Sequence, residues 1–266
     1  MSRSMAIIGA DPPSRLAGIR RLEALGFRAF PASVTEFDGT WAIRLTPAYP
    51  ARRLNSVNPL DPGDNARIPE RISAIERRFR EAGRPIVFRL SPLAPPALVE
   101  HLDEEGWPRF DESCVLTADL SEVDLTGTID RLPFKDIERY VDASLSVHGR
   151  SPKLANGLKR VIEDIAPVKT MFVRQEPAGA SLGVAMAIHE RDISGVLDVA
   201  VAADHRRKGI GRELVASALS YVRHRGAKTA WVQVEASNEP GLALYRSFGF
   251  TEAYRYVYRA REEVRV

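Results

Sequence analysis

Apolar residues recur at Ile68, Ile72, Ile75 and Phe79, a spacing of three and four that predicts a helix over 67–83 with one apolar face. A second stripe of Ile210, Leu214, Val215, Ala218, Leu219 and Val222 predicts a helix over 209–225, closed by Gly226. Shorter helices are predicted over 13–25, 97–105 and 240–247. Elsewhere the apolar positions form short runs. Segments 40–45, 52–57, 85–90, 114–120, 170–174, 182–189, 196–202, 229–235 and 251–259 read as strands. In 182–189, Val184, Met186 and Ile188 alternate with Gly183, Ala185 and Ala187, so both faces of that strand can be covered. Pro59-Leu60-Asp61-Pro62-Gly63-Asp64 breaks the pattern, because proline lacks a ladder donor and glycine tolerates positive φ.

The order of elements repeats. Helix, strand, short helix ending in Gly-aromatic, then strand occurs over 67–83, 85–90, 97–107 and 110–120. It recurs over 209–225, 229–235, 240–250 and 251–259, with Gly106-Trp107 and Gly249-Phe250 in matching places. This predicts two α/β units with a mixed sheet, residues 1–125 and 126–266, joined near 121–134.

Composition narrows the class. The chain has 266 residues, a formal charge of +3, 44% hydrophobic and 27% charged residues, which is ordinary for a globular protein. The lone Cys114 excludes an internal disulfide framework and a cysteine-based zinc cluster, and no metal-ligand spacing appears. The apolar stretch within residues 1–10 is too short for a signal peptide, and no run approaches the roughly 18 apolar residues of a membrane span. A soluble cytoplasmic protein is expected. Charge clusters at Glu76, Arg77, Arg78 and Arg80, and at Arg223, His224 and Arg225, read as solvated helix faces. A nucleic-acid partner is not expected; such an adaptor would show strongly salt-dependent binding.

The segment 199–214 concentrates the chemistry. A strand, the basic loop Arg206-Arg207-Lys208, then Gly209, Ile210, Gly211 and Arg212 lead into the helix. Amides in a helix's first turn lack partners and carry the positive end of the macrodipole. Glycines without Cβ atoms let a phosphate approach the main chain, and four cations surround the same point. A pyrophosphate would fit. No G-x-x-x-x-G-K-[ST] exists here. The G-x-G-x-x-G pattern is half met, with Leu214 at its third small position, and about 30 residues after Glu235 leave no room for further βα units.

The pattern R/Q-x-x-G-x-G/A is met by Arg206-Arg207-Lys208-Gly209-Ile210-Gly211. Here the sequence resembles the GNAT superfamily of acyl-CoA-dependent N-acetyltransferases. Downstream, Asn238, Leu244, Tyr245, Gly249 and Phe250 match the family's N-x-x-A-x-x-L/F-Y-x-x-x-G-F region, with Gly241 where alanine is usual. The resemblance covers roughly 168–259 and implies a GNAT fold, here as a tandem. It implies acetyl-CoA as cosubstrate, its pyrophosphate held by amides of 207–212 and its pantetheine arm paired along Val199 and Val201. A splay between strands 196–202 and 229–235 would make the slot. Asn238 would contact the cofactor, and Tyr245 would protonate the departing thiolate. A backbone N–H near Val201 would serve the oxyanion.

The general base stays open. Leu197 is apolar, and strict alternation turns Asp198 to the opposite face, which favours a structural role. His148, His189, Glu190 and Glu235 are the other candidates. The first half lacks the glycine loop, holding two prolines, Asp61 and Asp64 in its place, so it is expected to be a degenerate unit without cofactor. The expected activity is acetyl transfer to an amine of a small molecule or peptide, in a chain that could form a homodimer. The alternative is an acyl-CoA-binding regulatory module without turnover.

Overall fold

The computed structural model describes residues 11–128 and 131–261. The N-terminal apolar stretch lies outside the described residues, as do Ile129 and Asp130 within the expected join. The first half contains α1 (Pro12–Ala29), β1 (Val34–Asp38), β2 (Trp41–Leu45), β3 (Ser56–Pro59), α2 (Ile68–Glu81), β4 (Phe88–Leu90), α3 (Pro96–Glu104) and β5 (Arg109–Asp119). The second contains α4 (Ile137–Val147), α5 (Ala155–Glu163), β6 (Val168–Gln175), β7 (Ser181–Glu190), β8 (Ile193–Val201), α6 (Ile210–His224), β9 (Thr229–Glu235), α7 (Glu239–Arg246) and β10 (Thr251–Arg259). The repeated order is present as α2-β4-α3-β5 and α6-β9-α7-β10.

Two compact units form, and neither is one continuous stretch. The N-terminal unit takes described residues 11–115, 235–237 and 253–261; the C-terminal unit takes 116–128, 131–234 and 238–252. The N-terminal unit orders its strands β1-β2-β3-β4-β10, with β3 and β4 parallel and the other pairs antiparallel. Its core gathers Trp41, Ile43, Ile72, Ile75, Phe79, Phe88 and Trp107, and Phe88 meets Trp41 and Trp107 edge-on at 5.9 and 5.7 Å. A buried ion pair joins Arg89 to Glu23, which also accepts from the Tyr254 hydroxyl at 2.5 Å. Each member of that group has a partner, as a buried charge requires.

Segment 52–57 departs from the expected strand. Arg52–Leu54 is a 3-10 turn, and β3 starts at Ser56. The cause is Asn55, whose buried amide accepts from the Thr46 N–H at 2.8 Å and donates to the Tyr49 carbonyl at 2.8 Å. Those bonds hold the backbone in a turn.

The C-terminal unit orders its strands β9-β8-β7-β6, antiparallel except for the parallel pair β8–β9. Helix α6 packs closely because β7 offers Gly183, where a Cβ would stand 2.9 Å from both the Ala200 carbonyl oxygen and a Leu214 methyl. No helix among the described residues is long and apolar enough to cross a membrane.

Candidate active site

Strand β8 leaves β9 partway along. Their parallel pairing runs from Ile193↔Thr229 to Val196↔Val232 and stops there. On the other side, Met186 opposes Leu197 while Val184 opposes Ala200, so Asp198 and Val199 share one partner position. This is a β-bulge, with Asp198 in the left-handed region at φ 54. Val199 and Val201 follow it, on the stretch of β8 beyond the β9 ladder. An extended ligand can be added there as a strand is added to a sheet edge.

The basic loop follows directly. Arg206 is extended, Arg207 has φ 60, and Gly209 caps α6 at φ 81 with no side-chain hydrogen bond to the helix. Two left-handed residues so close together turn successive amides toward one point, and a non-glycine in that region is strained. Arg206, Arg207, Lys208 and Arg212 are exposed. The Arg206 Nε donates to the Val201 carbonyl at 3.3 Å, and Arg212 donates to Ser247 Oγ at 2.8 Å while lying over the Phe248 ring. The one acid of the first turn, Glu213, is paired with Arg131 and stands 3.9 Å from Arg174. Its charge is therefore offset before any anion arrives.

Gly211 is not demanded by packing. A Cβ there would lie 3.5 Å from Val201 and 3.6 Å from Leu244, ordinary contact distances. Those contacts also show that the end of β8, the first turn of α6 and α7 converge. Ile210 points its side chain inward and is buried.

On α7, Asn238 is the N-cap, its Oδ1 accepting from the Gly241 N–H at 2.9 Å. That cap accounts for glycine at 241, because a Cβ there would come within 2.8 Å of the Asn238 Nδ2. Tyr245 is 7% exposed and meets Phe250 edge-on at 5.7 Å. Burial pushes its phenol well above the usual range, so it remains protonated. No hydrogen bond to its hydroxyl is found among the described residues, and the proton is available to a nearby base.

Asp198 stands at the centre of a hydrogen-bonded cluster outside the glycine-loop motif. Asp198 Oδ2 accepts from the Tyr140 hydroxyl at 2.8 Å and from Ser144 Oγ at 2.7 Å, while Oδ1 meets His148 Nε2 at 2.8 Å. Burial opposes the charge on Asp198, yet these three donors outweigh it and hold the carboxyl below the ordinary range. Alternation could not place this side chain, because the bulge interrupts the period. The signal available was Tyr140, Ser144 and His148 at helical spacing of four. His189 and Glu190 stand at the opposite end of β8, by the turn to Ile193, where His189 pairs with Ser194. Glu235 is exposed at the end of β9.

The model of the family described as "Probable histone acetyltransferase Rv0428c C-terminal" matches residues 16–259. An "Uncharacterized N-acetyltransferase YobR" of Bacillus subtilis (strain 168) is 26% identical over 251 residues, 91% of this chain and 98% of that protein. Among solved structures, a GCN5-related N-acetyltransferase from Kribbella flavida superposes with a TM-score of 0.66 at 16% identity, covering 92% of this chain and 96% of that one. A tandem GNAT protein from the clavulanic acid biosynthesis pathway gives 0.63 at 17% identity, covering 97% and 91%. The splayed strands and the glycine loop thus sit in a fold shared with acetyltransferases along nearly the whole chain, which belongs to the Rv0428c C-terminal family and, with it, to the GNAT acyltransferases.

Proposed function

We propose that the C-terminal unit binds acetyl-CoA and transfers its acetyl group to a primary amine of a small molecule or peptide. One observation carries this: the β8–β9 ladder stops at Val196↔Val232, and the freed part of β8 runs into a helix N-terminus without a side-chain cap. The first suits an extended amide-bearing arm, the second a pyrophosphate. Gly211 supports the fit, since the chain's own packing leaves room for a Cβ that a close phosphate would exclude.

In this mechanism acetyl-CoA supplies an activated acyl group, and the chain orients it. Main-chain groups at Val199 and Val201 pair with the pantetheine arm. Amides of Arg207, Lys208, Gly209, Ile210, Gly211 and Arg212 hold the pyrophosphate, with Arg206 adding charge. Asn238 keeps its Nδ2 for the cofactor while its Oδ1 caps α7. A backbone N–H near Val201 donates to the carbonyl oxygen as negative charge gathers there. Tyr245 gives its proton to the leaving sulfur.

The N-terminal unit holds no cofactor in this scheme. At the matching place the Gly63 N–H is taken by Asp61 at 2.8 Å, and Asp64 is tied to Arg71 and Thr40. With its N–H already taken, Gly63 offers no open main-chain donor to an anion.

Calorimetric titration with acetyl-CoA tests the cofactor, on wild type, Gly211→Ala and Gly211→Glu. Wild type should bind saturably and Gly211→Glu should weaken binding by about 100-fold or more, since it sets a charge and bulk against the phosphate. Gly211→Ala, which meets only ordinary contacts, should remain folded. A folded wild type that does not bind acetyl-CoA would sink the proposal.

A further inference from the structure

The cluster around Asp198 fixes a tautomer. An ionised carboxylate can only accept, so the hydrogen in the 2.8 Å bond between His148 and Asp198 sits on Nε2. In its neutral form the ring carries its lone pair on Nδ1, and no hydrogen bond to Nδ1 is found among the described residues. The His148 side chain is 24% exposed, so the ring reaches solvent while its other nitrogen is held. Its partner Asp198 immediately precedes Val199, at the bulge where β8 has just left β9.

From this geometry we infer that His148 is the catalytic base for the acceptor and Asp198 its positioning residue, an assignment that rests on the acetyl-transfer reading above. At neutral pH an aliphatic amine arrives as the ammonium ion and cannot attack. Its N–H bond breaks and the proton forms a bond to Nδ1, leaving a lone pair on the amine nitrogen. That pair attacks the thioester carbonyl carbon, the C–S bond breaks, and sulfur takes the Tyr245 proton. The nitrogen's surplus proton returns to the phenolate through solvent, and the imidazolium releases its proton to solvent. The carboxylate of Asp198 stabilises that imidazolium, as does the C-terminal end of α4, which His148 caps. Tyr140 from α4 is the further titratable group bonded to this His148–Asp198 pair.

The test needs one spectroscopic and one kinetic arm. Imidazole nitrogen NMR on the free protein should show His148 as the Nε2–H tautomer. In Asp198→Asn the carbonyl oxygen stays with Tyr140 and Ser144, so the new amide NH₂ faces Nε2 and drives the hydrogen to Nδ1. Acetylation of a lysine-bearing peptide with a free N-terminus supplies the kinetics. At pH 7, His148→Gln should lower kcat/KM about 100-fold, within the usual range for a general base, with acetyl-CoA binding unchanged. The deficit should shrink as pH rises and the amine deprotonates unaided, because the variant lacks only the means to remove that proton. An Nδ1–H ring in wild type, or His148→Gln with wild-type kcat/KM, overturns the assignment. So does a loss that is equal at every pH and accompanied by a lower Tm, the mark of a purely structural clamp. A wild type that binds no acetyl-CoA overturns the parent reading instead.

Discussion

The Tyr245 ring packs edge-on against Phe250, and phenylalanine at 245 would keep that contact while removing the one atom that can donate a proton. Nothing among the described residues hydrogen-bonds the hydroxyl, so Tyr245→Phe leaves no orphaned partner and Tm should hold. Acetyl-CoA affinity should also hold, while kcat should fall about 100-fold if the phenol is the general acid. Burial raises the phenol's pKa, so its neutral, donating form persists as pH climbs past the ordinary tyrosine range. An alkaline decline in wild-type kcat therefore should not come from Tyr245. Unchanged kcat in Tyr245→Phe would remove the acid role. Candidate residues were nominated from sequence where a motif of fixed spacing carried them, as with Gly209, Gly211 and Tyr245. The Asp198 environment was not, because one left-handed residue resets the alternation by which side chains are assigned to faces.

Among elements, α6 joins the core to the loop, and its seat is defined by a glycine on the neighbouring strand. Gly183→Ala would put a methyl 2.9 Å from a backbone oxygen that cannot rotate away. Overpacking of this kind costs about 1–3 kcal/mol. Tm should fall by several degrees, and acetyl-CoA binding should weaken because Ile210 and Leu214, displaced by the methyl, lie in the turn that presents the amides. Gly211→Ala is the matched control, with Tm expected to stay put. Equal melting of both variants would refute the packing argument. The long stripes of α2 and α6 were readable because their large apolar side chains recur at helical spacing and are buried. Three elements were not. Strand β1 is exposed along nearly all its length, so no alternation marks it. In α4 the inward positions include Tyr140 and Ser144, whose polar atoms serve Asp198 and interrupt the apolar stripe. Helix α5 spans only nine residues and buries a glycine, Gly157.

At the scale of the molecule, the repeat was visible because element order survives where sequence identity does not, while strand exchange was invisible because alternation names a buried face and never the neighbour. Tyr254, Tyr256 and Tyr258 alternate with exposed or half-buried residues along β10, which signals a strand with one covered side. That side is covered in the N-terminal unit. Tyr254 donates to Glu23, Arg89 lies over Tyr256 at 3.6 Å, and Arg259 donates to the carbonyls of Trp107 at 2.8 Å and Leu102 at 3.1 Å. Val257 and Arg259 pair with Leu90 and Phe88 on β4. A chain ending at Glu252 therefore strips the N-terminal unit of the strand beside β4 and leaves the Glu23–Arg89 pair without its hydroxyl partner. Each lost buried hydrogen bond leaves an unsatisfied group at about 1–3 kcal/mol, comparable in sum to the stability of a whole domain. Hydrogen exchange should then accelerate through α1, β4 and α3, which lie far upstream of the cut in sequence. Arg259→Met offers a milder version with the strand retained: it frees the Leu102 and Trp107 carbonyls and should accelerate exchange at α3 first. Amides of α1 and β4 that stay as protected after truncation as before would show that the N-terminal half folds on its own sequence, and that β10 merely rests against it.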